Sequence, residues 1–464
     1  MTGALLGLLL PVAVVWIALT ALRLRVPADS RALTAAVALG GGIGLSSLST
    51  VWLMAHWGIT GIRFVAADAC LWTALGAAAW WHMRRTSAER QARSDAAAAA
   101  NPPAALTAAD WLARATFGAV AAVAVATIVT EYVASPHGQW DAWAIWNQKA
   151  RFLVRAGDQW TASLAIGWSQ PSHPLLVPAS VARMWSYGGA ELTGVPAMLG
   201  FAFGIAIVAA VVGALAPSRT RAWIAGAVLV APGIFAQQVA AQTADLPIAF
   251  FVVAALILLR PERRARGLDA EAAHATLLLG GMLAGFAAWT KNEGLVLVAI
   301  ATLVVAWRAA RHGPMRQLTW WAAGAAPALV AIAWLKLDVA PVPAGYFSEA
   351  DTVTTMAARM FSAERHAVVA SLAAQHWTHW GGPRAMGALP LMMAAAAVMA
   401  FMRSGRAARS AAATVGIMFA GYYATWVLSP LDIVWLIGTS FDRLLIQLWP
   451  SMVLVVFSFG GRDA

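Results

Sequence analysis

Residues 131–178 read EYVASPHGQWDAWAIWNQKARFLVRAGDQWTASLAIGWSQPSHPLLVP, a segment dense in Trp, Asp, Lys, Arg, His and Asn that interrupts a succession of apolar runs. On either side of it the chain is written in apolar stretches of membrane-spanning length, about 20 residues each. Of the 464 residues 61% are hydrophobic and 11% charged, and the mean hydropathy is +0.68. No single soluble core encloses that much apolar surface, so most of it must face lipid or other membrane helices. The chain reads as all-α, a polytopic transmembrane helical bundle with amphipathic loop helices at one face.

Working outward, apolar runs fall near 3–22, 32–56, 61–83, 110–134, 190–216, 222–237, 247–260, 274–290, 294–310, 318–337, 384–402, 410–428 and 443–459. That predicts about 13 spans. The first run has no basic residue before it and no small-residue cleavage site, which predicts a retained span rather than a signal peptide. Arg residues cluster in alternate connectors: Arg23, Arg25 and Arg31; Arg84, Arg85, Arg90, Arg93 and Arg114; Arg219 and Arg221; Arg260, Arg263, Arg264 and Arg266; Arg308, Arg311 and Arg316; Arg403, Arg406 and Arg409; and Arg462. The positive-inside rule makes those connectors cytoplasmic, the N-terminus periplasmic and the large loops at 135–189 and 338–383 outer. The net charge of +11 has its cause there, and nucleic acid is not an expected partner.

The polar stretch RRTSAERQARSDAAAAAN at 84–101, ending at Pro102, divides the chain into a three-span extension (1–101) and a larger core (102–464). No internal repeat of the kind that builds transporters is visible. The lone cysteine, Cys70, excludes an intrachain disulfide and a Cys-based metal site.

The chemistry-bearing residues collect on the outer side. All three lysines, Lys149, Lys291 and Lys336, lie there against the positive-inside bias, which suggests that they hold an anion. Asp141 lies between Trp140 and Trp143, and on a regular helix it shares a face with Ile145 and Lys149. A carboxylate so placed can take a proton from an acceptor hydroxyl while Lys149 or Arg151 neutralises a phosphate leaving group. Equally, Asp141 can simply pair with Lys149. Asp245 precedes Leu246 and Pro247 at a helix start, where a carboxylate also serves the helix dipole. Lys291 and Glu293 flank a tight turn, and Lys291 there can merely neutralise carbonyl ends. Arg443 enters the last span and needs an acidic partner or a phosphate, with Asp442 adjacent. Asp68 is similarly costly within a span, and Arg63 is the nearest cation in sequence. His173 can bind a sugar or a metal; the pair His376 and His379 has a spacing that can hold Zn²⁺ but no evident third ligand.

These residues carry a resemblance. GQWDAWAIWNQKARFL with SHPLLVP resembles the first outer loop of bacterial integral-membrane glycosyltransferases of the GT-C class, which are polyprenyl-phosphate-sugar dependent and similar to protein O-mannosyltransferases and lipid A aminoarabinose transferases. QTADLPIAF, GFAAWTKNEGLVL and TSFDRLLIQLWP resemble three further motifs of that class in the expected order. The resemblance covers roughly 110–460. It implies a GT-C-like fold in a bacterial inner membrane, with a periplasm-facing site and inverting transfer. The donor would be a polyprenyl-phosphate-linked sugar and the acceptor a glycan, lipid or protein hydroxyl.

Asp141 would be the catalytic base, with Lys149, Arg151, His173, Asp245, Lys291, Glu293 and Arg443 binding substrate. Many members carry Asp-Glu where this chain has Asp141-Ala142, which leaves a divalent metal open and assigns it no ligand. Two other readings of the same sequence are a transporter or lipid flippase and a non-catalytic subunit with a degenerate transferase fold.

Overall fold

A computed structural model of the protein describes residues 1–21, 31–85, 105–166, 168–259, 270–312, 314–340, 352–381, 394, 398 and 406–458. Every regular element among them is helical. Among the described residues ten helices are long and apolar enough to cross a membrane, or 11 if the bent pair Arg219–Val230 and Gly233–Ala240 is one span. The run expected at 384–402, apart from residues 394 and 398, and most of the connector at 84–101 lie outside the described residues.

In chain order, α1 (Thr2–Ala21), α2 (Arg31–Thr50, continued by a π turn over Val51–His56) and α3 (Gly61–Arg85) form the N-terminal spans. Next comes α4 (Ala108–Ala134), opened by a capping box in which Thr107 and Asp110 satisfy each other's free amides. The loop after α4 then holds α5 (Asn147–Ala156) and α6 (Leu176–Gly188), and α7 (Gly194–Leu215) returns across the bundle. Between α8 (Arg219–Val230) and α9 (Gly233–Ala240) the axis turns by 68°. The cause is Pro232, which lies in the extended region and supplies no amide to the helix.

The helix α10 (Asp245–Leu258) is short for a span, about 21 Å at 1.5 Å per residue. All 14 of its residues are buried, so it meets protein rather than lipid and need not match the bilayer thickness. It is the axis of the bundle: Phe250 packs on Phe203 and Phe251 on Phe286. Around it stand α7, α11 (Ala270–Thr290), α12 (Glu293–His312) and α17 (Ile433–Ser458), with α13 (Arg316–Trp334) packed on α11 and α16 (Arg406–Leu428) on α17. Opposite in character is α4, of which only Asp110, Ala113 and Ala124 are buried; its Val123 and Val133 are exposed as on a lipid-facing helix.

The N-terminal spans are packed into the rest of the bundle. Gly40 and Gly44 of α2 lie under the rings of Phe250 and Phe286, where a methyl group would collide, and Trp289 donates to Ser47 Oγ at 3.1 Å. Asp68 of α3 pairs with Arg183 of α6 at 2.6 Å, not with Arg63.

The connectors sort to two ends. At one end Asp110 meets Thr220 (2.7 Å), and Arg308 meets Ser410 (2.8 Å) and the carbonyl of Leu259 (2.5 Å). At the other lie the loop after α4, the start of α10, the turn between α11 and α12 and the end of α13. The connectors that carry Arg219, Arg221 and Arg308 belong to the first end. Over the second, α14 (Val353–Met360) and α15 (Ala363–His379) are tied to the end of α16. Arg359 donates to the Leu428 carbonyl (3.0 Å) and Arg365 to those of Val427 (2.9 Å) and Ser429 (2.8 Å), satisfying groups that the helix end leaves free.

A polar cluster at one end of the bundle

The helix expected through 141–149 begins with a π turn, Ala142–Trp146, before α5. A π turn takes in an additional residue and rotates the helix beyond it. Lys149 is thereby turned inward and fully buried, and Asp141 pairs with Arg443, Oδ2 to Nη2 at 2.7 Å, rather than with Lys149.

Arg443 is shared. Its Nε donates to Asp245 Oδ2 at 2.8 Å, and Asp442, its sequence neighbour, is not its partner. Asp245, wholly buried at the first turn of α10, also accepts from Lys291 Nζ (2.9 Å), Gln447 Nε2 (2.7 Å) and Thr243 Oγ1 (3.2 Å). Lys291 in turn meets Glu293 at 3.1 Å, and Tyr422 donates to Gln447 Oε1 at 2.9 Å. A carboxylate with four donors has no lone pair facing an incoming substrate. Asp245 is thus the keystone that aims Arg443 and Lys291, and the more accessible carboxylates are Asp141 (22% exposed) and Glu293 (24%).

Lys149 and Lys336 are held differently. Lys149 Nζ donates to the carbonyls of Gln170 (2.8 Å) and His173 (3.4 Å). Lys336 Nζ donates to Asn292 Oδ1 (2.8 Å) and the Ser172 carbonyl (3.1 Å). Trp146 stacks on the His173 ring at 5.5 Å. Burial, and after it the charges of Lys149, Lys291, Arg443 and Lys336, push the His173 imidazole well below its ordinary value, so it is neutral at pH 7. Gln170 and Gln242 are the two non-glycine residues with positive φ among those described, and both serve this end. Gln170 turns its carbonyl to Lys149; Gln242 accepts from Asn147 (3.1 Å) and donates to the Pro136 carbonyl (2.9 Å). Such backbone conformations cost energy and persist where the surroundings impose them.

Arg151 stands apart from this cluster: it lies 3.3 Å from Glu191 and over the Trp185 ring, on the outside of the loop. Lys336 belongs to the arrangement, as do Gln447, Tyr422 and Gln242, which the sequence does not single out. Only Lys336, as one of three lysines, leaves a signal. Among the described residues no three of His, Cys, Asp and Glu are placed to share a metal ion. His379 makes a contact of 3.1 Å with the Gln375 carbonyl, and His376 lies against Phe441. The cluster's carboxylates are already matched to cations, and this donor set does not fit a divalent metal.

The Lys149 ammonium is brought down to about 7 by burial and, after it, by the neighbouring Lys336 charge. Its value in the unfolded chain is about 10.4. Between about pH 7 and about pH 10 the unfolded chain therefore binds a proton that the folded one does not, so this group makes the fold more stable as pH rises through that window and adds no slope below it. Thermal unfolding in detergent is expected to show wild type gaining on Lys149→Met between pH 7 and pH 9. A gap between the two that does not change with pH would contradict the assignment.

The fold and the cluster define a multi-pass helical membrane protein in which separate loops at one end of the bundle meet in one ionic network. Comparison of the chain with protein-family models, curated proteins and solved structures found no match.

Proposed function

We propose that the protein is a membrane glycosyltransferase that moves a sugar from a polyprenyl-phosphate donor to a hydroxyl acceptor, with Asp141 as general base. One observation carries this reading. The four stretches that resemble the GT-C class, far apart in the chain, supply Asp141, Asp245, Lys291 and Arg443 to one continuous network at a single end of the bundle. The opposite end bears connectors that carry Arg219, Arg221 and Arg308, which under the positive-inside rule supports a periplasm-facing site.

In the reaction, the acceptor O–H gives its proton to the Asp141 carboxylate and its oxygen forms the new bond to the anomeric carbon. The bond from that carbon to the phosphate oxygen breaks, and the lipid phosphate leaves with the electron pair, stabilised by the cations of this end. A single displacement inverts the anomeric centre. Arg443 orients the base: its Nη2 holds the Asp141 carboxylate while Asp245 keeps hold of Nε.

The test is reconstitution into proteoliposomes with a panel of labelled polyprenyl-phosphate sugars and cell-envelope acceptors. Label is expected to pass from one donor to the acceptor fraction. Label that crosses the bilayer on its lipid and is transferred from no donor would replace this reading with a flippase.

A further inference from the structure

Charge matching separates the cations of this end into two groups. Arg443 and Lys291 share the three carboxylates of Asp141, Asp245 and Glu293. That set sums to about one negative charge and repels a further anion. Lys149 and Lys336 have no carboxylate partner among the described residues; their contacts are carbonyl and amide oxygens. The carbonyls of Ser172 and His173, consecutive in the chain, hold the two ammonium groups side by side. A protonated lysine has three donors, and two are used on each, so at or below about pH 7, where Lys149 is charged, one N–H of each is left. Beside them the buried Trp146 Nε1, His173 Nδ1 and Ser169 Oγ also have no hydrogen-bond partner among the described residues. Two neighbouring cations, one of them fully buried, together with three unpartnered polar atoms, form a costly arrangement that an anion would complete.

We infer that Lys149, Lys336 and His173, with the Trp146 indole, form the receiving pocket for a phosphate group, beside rather than within the chain of ion pairs that holds Asp141. The phosphate source, the diester of a lipid-linked sugar, rests on the transferase reading; the anion pocket does not. A phosphodiester bears one negative charge and presents two unesterified oxygens, which matches one N–H from each lysine.

The experiment is binding in detergent micelles, by calorimetry, of farnesyl methyl phosphate, inorganic phosphate and farnesol. Wild type is expected to bind the diester, and Lys336→Gln and Lys149→Met each to weaken it about 10–100-fold. Lys336 is only partly buried, so Lys336→Gln keeps the test open where Lys149→Met does not fold. Wild-type affinity in Lys336→Gln, or tight binding of farnesol, overturns the pocket. Inorganic phosphate binding as tightly as the diester overturns the lipid source and leaves the anion site. If the diester binds as expected while no donor gives up its sugar, the transferase reading fails and the pocket stands.

Discussion

Asp141→Asn is expected to lower sugar transfer by about 10²–10⁴-fold, the range that a positioned general base contributes. Asn keeps the size of the side chain and an oxygen for Arg443 Nη2, now 2.7 Å from the carboxylate, so the network and donor binding should survive. What it cannot do is take the acceptor's proton. The measurement is initial-rate transfer in proteoliposomes, with donor affinity measured in parallel. Full activity in Asp141→Asn would reduce Asp141 to a counter-ion for Arg443. The next candidate would then be Glu293, 24% exposed on the same network, and not Asp245, which is wholly buried with four donors around it.

The largest loss of stability is expected at the other buried ion pair. Asp68 (0% exposed) accepts from Arg183 (1% exposed) at 2.6 and 3.0 Å and from the Tyr187 hydroxyl at 2.7 Å. Asp68→Ala leaves a guanidinium uncompensated inside the bundle, a loss of about 3–5 kcal/mol. Replacing both charges, Asp68→Leu with Arg183→Met, should recover most of it, because apolar residues of similar volume remove the desolvation cost along with the attraction. Unfolding in mixed micelles reads both variants. A double variant as unstable as the single one would mean that packing, not the unpaired charge, sets the loss. Since Arg183 lies on α6, directly after the His173 loop, the single variant should also loosen that loop; trypsin cleavage within 151–183 reports it.

The class of fold was legible in the sequence because lipid imposes a one-dimensional rule. A span must be about 20 apolar residues with its amides bonded within the helix, and that can be counted along a chain. Sidedness follows from where arginine is retained, and it brought Asp141, Lys149, His173, Asp245, Lys291, Glu293 and Arg443 to one end. The fully buried α10 reads like any other span, since apolar composition does not distinguish a lipid neighbour from a helix neighbour.

Which charge meets which was decided by the tertiary structure. Reading along the chain gives each ionic group a neighbour in sequence: Lys149 for Asp141, Asp442 for Arg443, Arg63 for Asp68. The actual partners come from 198 residues away for Arg443 and Asp245, and 115 for Arg183 and Asp68. A π turn at Ala142–Trp146 rotates Lys149 away from Asp141, and the loop fold delivers Arg151 to Glu191. The sequence alone determined that this is a helical membrane protein with its reactive groups on one side. Pairing depends on how helices are rotated and set against one another, and apolar surface fit across the bundle makes that choice, which no spacing along the chain records.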